Sequence, residues 1–260
     1  MISVVVPMYN SSKTILKAIN SIIEQTRADL IKEIIIVNDG STDDSLEVVN
    51  EFIKVSKDNR MKIVSKTNGG VSSARNEGIK NASEDWIALL DSDDVWLKDK
   101  IEKQISILMK FPEIVFIGAG RNQEELTIGK KVMDNLYKME VKDLLKKYWP
   151  HTSTVLIKKE VLVECSMFDE RRTHCEDGQL WLKIASKYPL YYISESLEIA
   201  GDNKRSFGEK GLSADLKKMH KGSVENIYEV YQRGDINIVE KNFFLLYENI
   251  KYLRRIILSR

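Results

Sequence analysis

The chain has almost no charge of one sign to spare. Its 40 basic and 39 acidic side chains leave a formal charge of +1 over 260 residues. A general nucleic-acid binder needs a clear basic excess, so no nucleic-acid partner is expected. Cysteine is scarce too. Cys165 and Cys175 are too few for a disulfide framework or a structural zinc site, and they read as reduced thiols of a cytoplasmic protein. There is no run of about 20 apolar residues, which argues against a spanning helix. The opening MISVVVPMYN enters a strand pattern at once with no basic lead, so no signal peptide is expected. Glycine is missing from VVVPMYNSS, where a dinucleotide-dependent dehydrogenase would need G-x-G-x-x-G. What remains is an ordinary globular composition, 43% hydrophobic and 30% charged, with enough chain for a large core.

The first hundred residues alternate two rhythms. ISVVVP, EIIIVNDG, MKIVSK and WIALLD are short β-branched or apolar runs that read as buried strands. Between them, SSKTILKAINSIIEQT, STDDSLEVVNEFIKVS and GVSSARNEGIKNA carry helical spacing. Ser or Thr is available to cap the first, and Ser41 or Thr42 the second. This βαβαβαβ order predicts an α/β fold with a mostly parallel central sheet and helices on both faces. Ligands of such sheets bind beyond the carboxyl ends of the strands. Tyr9 and Asn10, Asn38 to Ser41, and Asp91 to Asp94 all fall at such ends. Farther on, DKIEKQISILMKF, KMEVKDLLKKYW and EDGQLWLKIASKY read as helices, while EIVFIGAG, TSTVLIK and LYYISESLEIA read as strands. From about Gly208 the chain is helical and increasingly basic. One compact domain over 1–207 is expected, with a helical C-terminal extension over 208–260.

WIALLDSDDVW places three carboxylates within four positions after an apolar strand. Residues i and i+2 of an extended chain project to one side, so Asp91 and Asp93 can converge. Convergent carboxylates repel unless a cation lies between them. Mg²⁺ and Mn²⁺ prefer oxygen ligands and share their shells with substrate phosphates. The plainer reading of DSDD is a turn whose acids stabilise the next helix. At the end of the second strand Asp39 can accept hydrogen bonds from a base or a ribose.

Taken in order, VVVPMYNSSKTILKAINSIIEQT, EIIIVNDGSTDDS, NGGVSSARNEGI and WIALLDSDD resemble the inverting glycosyltransferases of family 2 with the GT-A fold, as found in bacterial surface-polysaccharide synthesis. The likeness is dense over residues 1–100 and thinner to about 200. It implies a nucleotide-sugar-binding half over 1–100 and an acceptor half over 101–207. By that resemblance Pro7, Tyr9, Asn10, Asp39, Arg75, Asp91 and Ser92 line the donor pocket, and Asp93 holds Mn²⁺ or Mg²⁺ on the diphosphate of a UDP-sugar. Downstream, the Glu176–Asp177 pair of HCEDGQLWLKIA stands where the family has its catalytic motif. It implies Asp177 as the base and Glu176 as a residue that helps orient the acceptor, although acids at a helix N-terminus are also common stabilisers.

Other residues keep two readings. Trp181 can stack on a sugar ring or pack in the core. Lys204, Arg205 and Lys210 of GDNKRSFGEKGLS form a loop over the diphosphate or a solvated basic loop. His151 and His220 are structural or face the ligand. In the tail, NFFLLYENIKYLRRIILSR is a basic amphipathic helix for an anionic membrane surface or a packing helix. A saccharide acceptor on polyprenyl diphosphate would fit the former, at the inner face of the plasma membrane. There is no Q-x-x-R-W and no membrane span, so one sugar per encounter is expected rather than processive synthesis. The competing classes are a sugar nucleotidyltransferase, for which the first loop lacks glycine, and a non-catalytic nucleotide-sugar-binding protein, against which both acidic clusters speak.

Overall fold

The computed structural model describes residues 1–124, 128–147, 150–201 and 214–258. The chain opens with β1 (Ile2–Met8), α1 (Ile15–Ile23), β2 (Ile31–Asp39), α2 (Ser45–Ser56), β3 (Met61–Lys66), α3 (Val71–Asn81) and β4 (Trp86–Leu89). These strands are parallel in the order β3-β2-β1-β4, as the alternating pattern requires. A second half follows: β5 (Val95–Trp96), α4 (Lys100–Lys110), β6 (Phe116–Gly120), the hairpin β7 (Lys130–Met133) and β8 (Leu136–Met139), and α5 (Val141–Lys146). Then come β9 (Leu156–Lys158), α6 (Lys159–Glu164), α7 (Glu176–Ala185), β10 (Leu190–Ser196), β11 (Glu198–Ile199), α8 (Leu216–Gln232) and α9 (Ile238–Leu258).

The nine-stranded sheet continues from β4 through β9, β6, β10, β8 and β7. β9 runs antiparallel between β4 and β6, so this half is mixed. β5 and β11 pair separately and antiparallel. Alternation along β1 divides the core in two. Val4, Val6 and Met8 pack with Ile15, Ile19 and Ile22 of α1 on one face. Val5 packs with Ala74 and Ile79 of α3 and, farther along, with α5, α6 and α7 on the other. Gly78 of α3 permits this approach: a Cβ there would lie 2.3 Å from Cγ1 of Val5.

Two expected caps are replaced. Thr14 precedes α1 without a side-chain cap bond. α2 begins at Ser45, with Asp44 rather than Ser41 or Thr42 before it. Ser41 and Thr42 are taken up by Asn10, whose amide oxygen accepts the Thr42 N–H at 2.8 Å and whose N–H donates to Ser41 Oγ at 3.1 Å. The expected boundary near 207 falls outside the described residues. α8 is joined closely to the rest: Asn226 and Val230 are buried, and Ile227 lies in the same core as α7. Among the described residues no helix is long and apolar enough to cross a membrane.

Candidate active site

The carboxyl ends of β1, β2 and β4 converge. β1 has β2 on one side and β4 on the other, which makes the crevice beside it the point where the strand order reverses. Ser11 Oγ and Ser92 Oγ lie 2.7 Å apart and close the loops after β1 and β4 onto each other. Asn10 takes a left-handed φ of 49°, a conformation asparagine tolerates better than most residues. Tyr9 beside it is 50% exposed, whereas Pro7 is buried within the strand. At the end of β2, Asp39 is buried. It accepts from the backbone N–H groups of Gly69 and Gly70 at 3.0 and 2.8 Å and from Lys66 Nζ at 2.8 Å. The loop that leads into α3 is thus folded onto the β2 carboxyl end.

Arg75 is the link between the two acidic motifs. Buried on α3, it donates from Nη2 to both carboxylate oxygens of Asp91, at 2.8 and 2.9 Å, and from Nη1 to Oε1 of Glu176 at 3.0 Å. Its guanidinium also lies over Phe168, 5.1 Å from the ring centroid. Burial alone would lower the Arg75 pKa, but Asp91 and Glu176 outweigh it and the net direction is up. Residues 16 and 101 positions away are thereby brought to one guanidinium.

Glu176 and Asp177 form the first turn of α7, where the helix dipole favours negative charge. Glu176 is spent on Arg75. Asp177 is partly exposed; its Oδ1 accepts its neighbour Gly178 N–H at 2.6 Å, and Thr152 Oγ1 is 3.5 Å from Oδ2. Burial, then repulsion by Glu176, raises its pKa above the ordinary aspartate value. Cys175, immediately before the pair, holds a left-handed φ of 57°, a strained conformation for a residue with a side chain. α8 grips this turn. Asn226 Nδ2 donates to Cys175 O at 3.4 Å, and Arg172 donates to Asn226 Oδ1 at 2.8 Å.

The remaining expected residues fall as follows. Asp93 is exposed on the loop after β4. Of Trp181's two readings the structure takes the core one: it is 1% exposed, edge-on to Phe116 and Phe168, and its indole N–H donates to Pro150 O at 3.2 Å. His220 lies on α8, stacked on Tyr252 of α9. Lys204, Arg205 and Lys210 lie outside the described residues.

One cluster had little sequence signal. Asp94, His151 and Glu198 bring ligand-type atoms within 4.8 Å of one another. His151 Nδ1 is 2.8 Å from Glu198 Oε1, and Ser153 Oγ donates to Asp94 Oδ2 at 2.5 Å. Burial pushes Glu198 up to about 8 and raises Asp94 as well. Glu198 is a lone acid in the apolar run LEIA, and that contrast was its one visible signal. The cluster joins Asp94, just before β5, and Glu198 of β11 to the ring of His151.

Similarities to known proteins bear on the family and the fold. The model of "Glycosyl transferase family 2" matches residues 3–171. Glycosyltransferase GlyG of Streptococcus pneumoniae serotype 4 is 27% identical over 243 residues, covering 90% of this chain and 79% of GlyG. The UDP-Glc:alpha-D-GlcNAc-diphosphoundecaprenol beta-1,3-glucosyltransferase WfgD of Escherichia coli is 33% identical over 189 residues, 71% of this chain and 69% of WfgD. An uncharacterized glycosyltransferase of Rickettsia bellii is 30% identical over 234 residues, 87% of this chain. The chain spans only 33% of that relative's length, and 32% to 62% of four other Rickettsia relatives. Among solved structures, S. aureus TarS 1-349 in complex with UDP-GlcNAc has a TM-score of 0.72 at 21% identity, over 94% of this chain and 70% of that one. The mannosyltransferase PcManGT from Pyrobaculum calidifontis, in complex with GDP-Man and Mn²⁺, has a TM-score of 0.69 at 17% identity, over 100% and 75%. At these identities the likeness shows the shared GT-A fold.

Proposed function

The chain belongs to glycosyl transferase family 2, and from that premise we propose that it moves one sugar from a nucleotide-sugar, a UDP-sugar, to an acceptor hydroxyl with inversion at the anomeric carbon. The observation that carries this reading is the Asp91–Arg75–Glu176 bridge, which joins the strand-end acids of the donor half to the turn bearing Asp177. In this reading Asp177 takes the proton of the acceptor hydroxyl as that oxygen attacks the anomeric carbon. The bond from that carbon to the diphosphate breaks, and the nucleoside diphosphate leaves on the opposite face. The raised pKa of Asp177 makes it a better base than a solvated aspartate. Glu176, neutralised by Arg75, fixes the turn and stays out of proton transfer.

The residues fit a divalent cation. Asp91 is held by Arg75, and Asp93, exposed on the same loop, would be the carboxylate that holds Mn²⁺ or Mg²⁺. One protein carboxylate, completed by water and diphosphate oxygens, is the arrangement these hard cations accept. Bound there, the ion would offset the negative charge that develops on the leaving diphosphate. Tyr9, Asn10, Asp39 and Ser92 surround the nucleotide in this reading. The acceptor is a saccharide on polyprenyl diphosphate, by likeness to the acceptor in WfgD's name.

A donor screen tests the proposal. UDP- and GDP-sugars are added with Mn²⁺ in a thermal-shift assay, and products on lipid-linked saccharides are weighed by mass spectrometry. A donor at 100 times its Kd stabilises by about 2.7 kcal/mol, which raises Tm by about 5–10 °C for a chain of this size. The true acceptor gains the mass of one sugar. If no nucleotide-sugar shifts Tm and no product forms, the proposal fails.

A further inference from the structure

The outer face of α9 carries an apolar seam that no other described residue covers. Val239, Phe243, Leu246, Ile250, Leu253 and Ile257 follow one another at spacings of 4, 3, 4, 3 and 4. All six are between 56% and 73% exposed. Steps that alternate strictly between 4 and 3, held over a helix of 21 residues, are the a/d repeat of a coiled coil. The inner face of α9 is separately satisfied. Phe244 joins the core, and Glu248 is buried with Lys251 at 2.7 Å and Arg255 at 3.3 Å.

A membrane-surface helix would place lysine and arginine beside its apolar face. Here Lys251 and Arg255 turn inward to Glu248, and Lys241 lies over the rings of Tyr228 and Tyr231 at 5.3 and 4.7 Å. The seam is flanked by Asn242, Asn249 and Ile256 on one side and by Glu240, Tyr247 and Arg254 on the other. The seam is also complementary to itself when reversed. Antiparallel pairing about a two-fold axis sets Val239 on Ile257, Phe243 on Leu253 and Leu246 on Ile250, each twice, with no knob left over. The same register brings Glu240 of one copy beside Arg254 of the other, again twice. A parallel pair would stack Phe243 on Phe243 and leave both charges without an opposite. Glu240 already holds Lys142 at 2.5 Å, so its carboxylate is fixed near the seam's edge.

We propose that α9 is a homodimerisation helix that pairs antiparallel with α9 of a second copy of this chain through the 239–257 seam. The proposal does not rest on the catalytic reading, since none of these residues belongs to the candidate active site.

Sedimentation velocity of the 260-residue chain over micromolar concentrations tests it. The wild type is expected to sediment as a dimer, and Leu246→Glu/Ile250→Glu as a monomer with an unchanged circular dichroism spectrum. Glu240→Arg and Arg254→Glu singly weaken the dimer several-fold, and the two together restore it, because the reversed charges again meet across the axis. A monomeric wild type overturns the proposal. So does a dimer that survives Leu246→Glu/Ile250→Glu, a charge reversal that fails to restore, or a monomer whose seam binds vesicles of anionic phospholipid.

Discussion

At the scale of single residues, Arg75 carries more of the account than any other side chain. It is buried between two acids, and removing it leaves both without their counter-charge. Breaking a buried pair in this way costs about 3–5 kcal/mol, so Arg75→Met should lose that much in urea denaturation. Arg75→Lys keeps the charge but not the fork that spans Asp91 and Glu176, and it should fall between wild type and Arg75→Met. Trp181 gives a contrasting prediction. It is a core residue, so Trp181→Ala should cost about 3–5 kcal/mol, while Trp181→Phe should retain donor affinity; a donor Kd that collapses in Trp181→Phe would return Trp181 to the sugar. Because burial raises the Asp177 pKa, the acidic limb of the kcat/KM profile should lie above the ordinary aspartate value of about 3.9. The individual acids were legible in sequence because each ends an apolar strand or opens an apolar helix. Their joining through Arg75 was not, since the spacing of residues 75 and 176 says nothing of a shared guanidinium.

Elements were read well where burial imposes a period. The parallel strands β1, β2 and β4 are largely buried and show continuous apolar runs, β3 at the sheet edge is mostly half-buried, and α1 shows its inward stripe plainly. The β7–β8 hairpin was not legible: all four residues of β7 are exposed, so no alternation marks it. β9 was visible as a strand, but its three residues cannot announce that they run antiparallel between β4 and β6. Glu33 of β2 gives this scale its pH prediction. It accepts from Ser3 Oγ, from Ser83 N–H and Oγ, and from Lys62, tying β1 to β2, β3 and the entry to β4. Burial alone would raise its pKa, but these donors prevail and lower it from 4.5 to about 2. A depressed folded-state pKa means stability that is present above pH 4.5 and lost as pH falls toward 2. The loss is on the order of 3 kcal/mol. Glu33→Gln should abolish that acid-dependent step in urea midpoints measured from pH 6 to pH 2; an unchanged slope would show that Glu33 is not its source. Helix α8 carries another prediction. A Cβ on Gly222 would lie 2.9 Å from His174 O and 3.1 Å from Cys175 Cβ. Gly222→Val should therefore press on the turn before Glu176–Asp177 and lower transfer more than donor binding.

Across the whole molecule, the sheet delivers the carboxyl ends of β1, β2 and β4 to one crevice, and α7, held by α8, brings the second acidic motif to it. The sequence suggested a helical C-terminal extension; α8 and α9 are its helices, and α8 is bonded to Cys175 before the Glu176–Asp177 pair. Helical spacing shows that α8 has an inward face but not which neighbour that face meets. If a cation acts at Asp93, chelation should abolish transfer and weaken donor binding, and Mn²⁺ should restore both in the wild type but not in Asp93→Ala. The most direct measurement of the central claim, that the strand-end acids and Asp177 make one site, is donor binding and transfer in Asp177→Asn side by side. The account predicts a donor Kd close to that of the wild type with transfer reduced by about 10²–10⁴-fold. Transfer at the wild-type rate would contradict it.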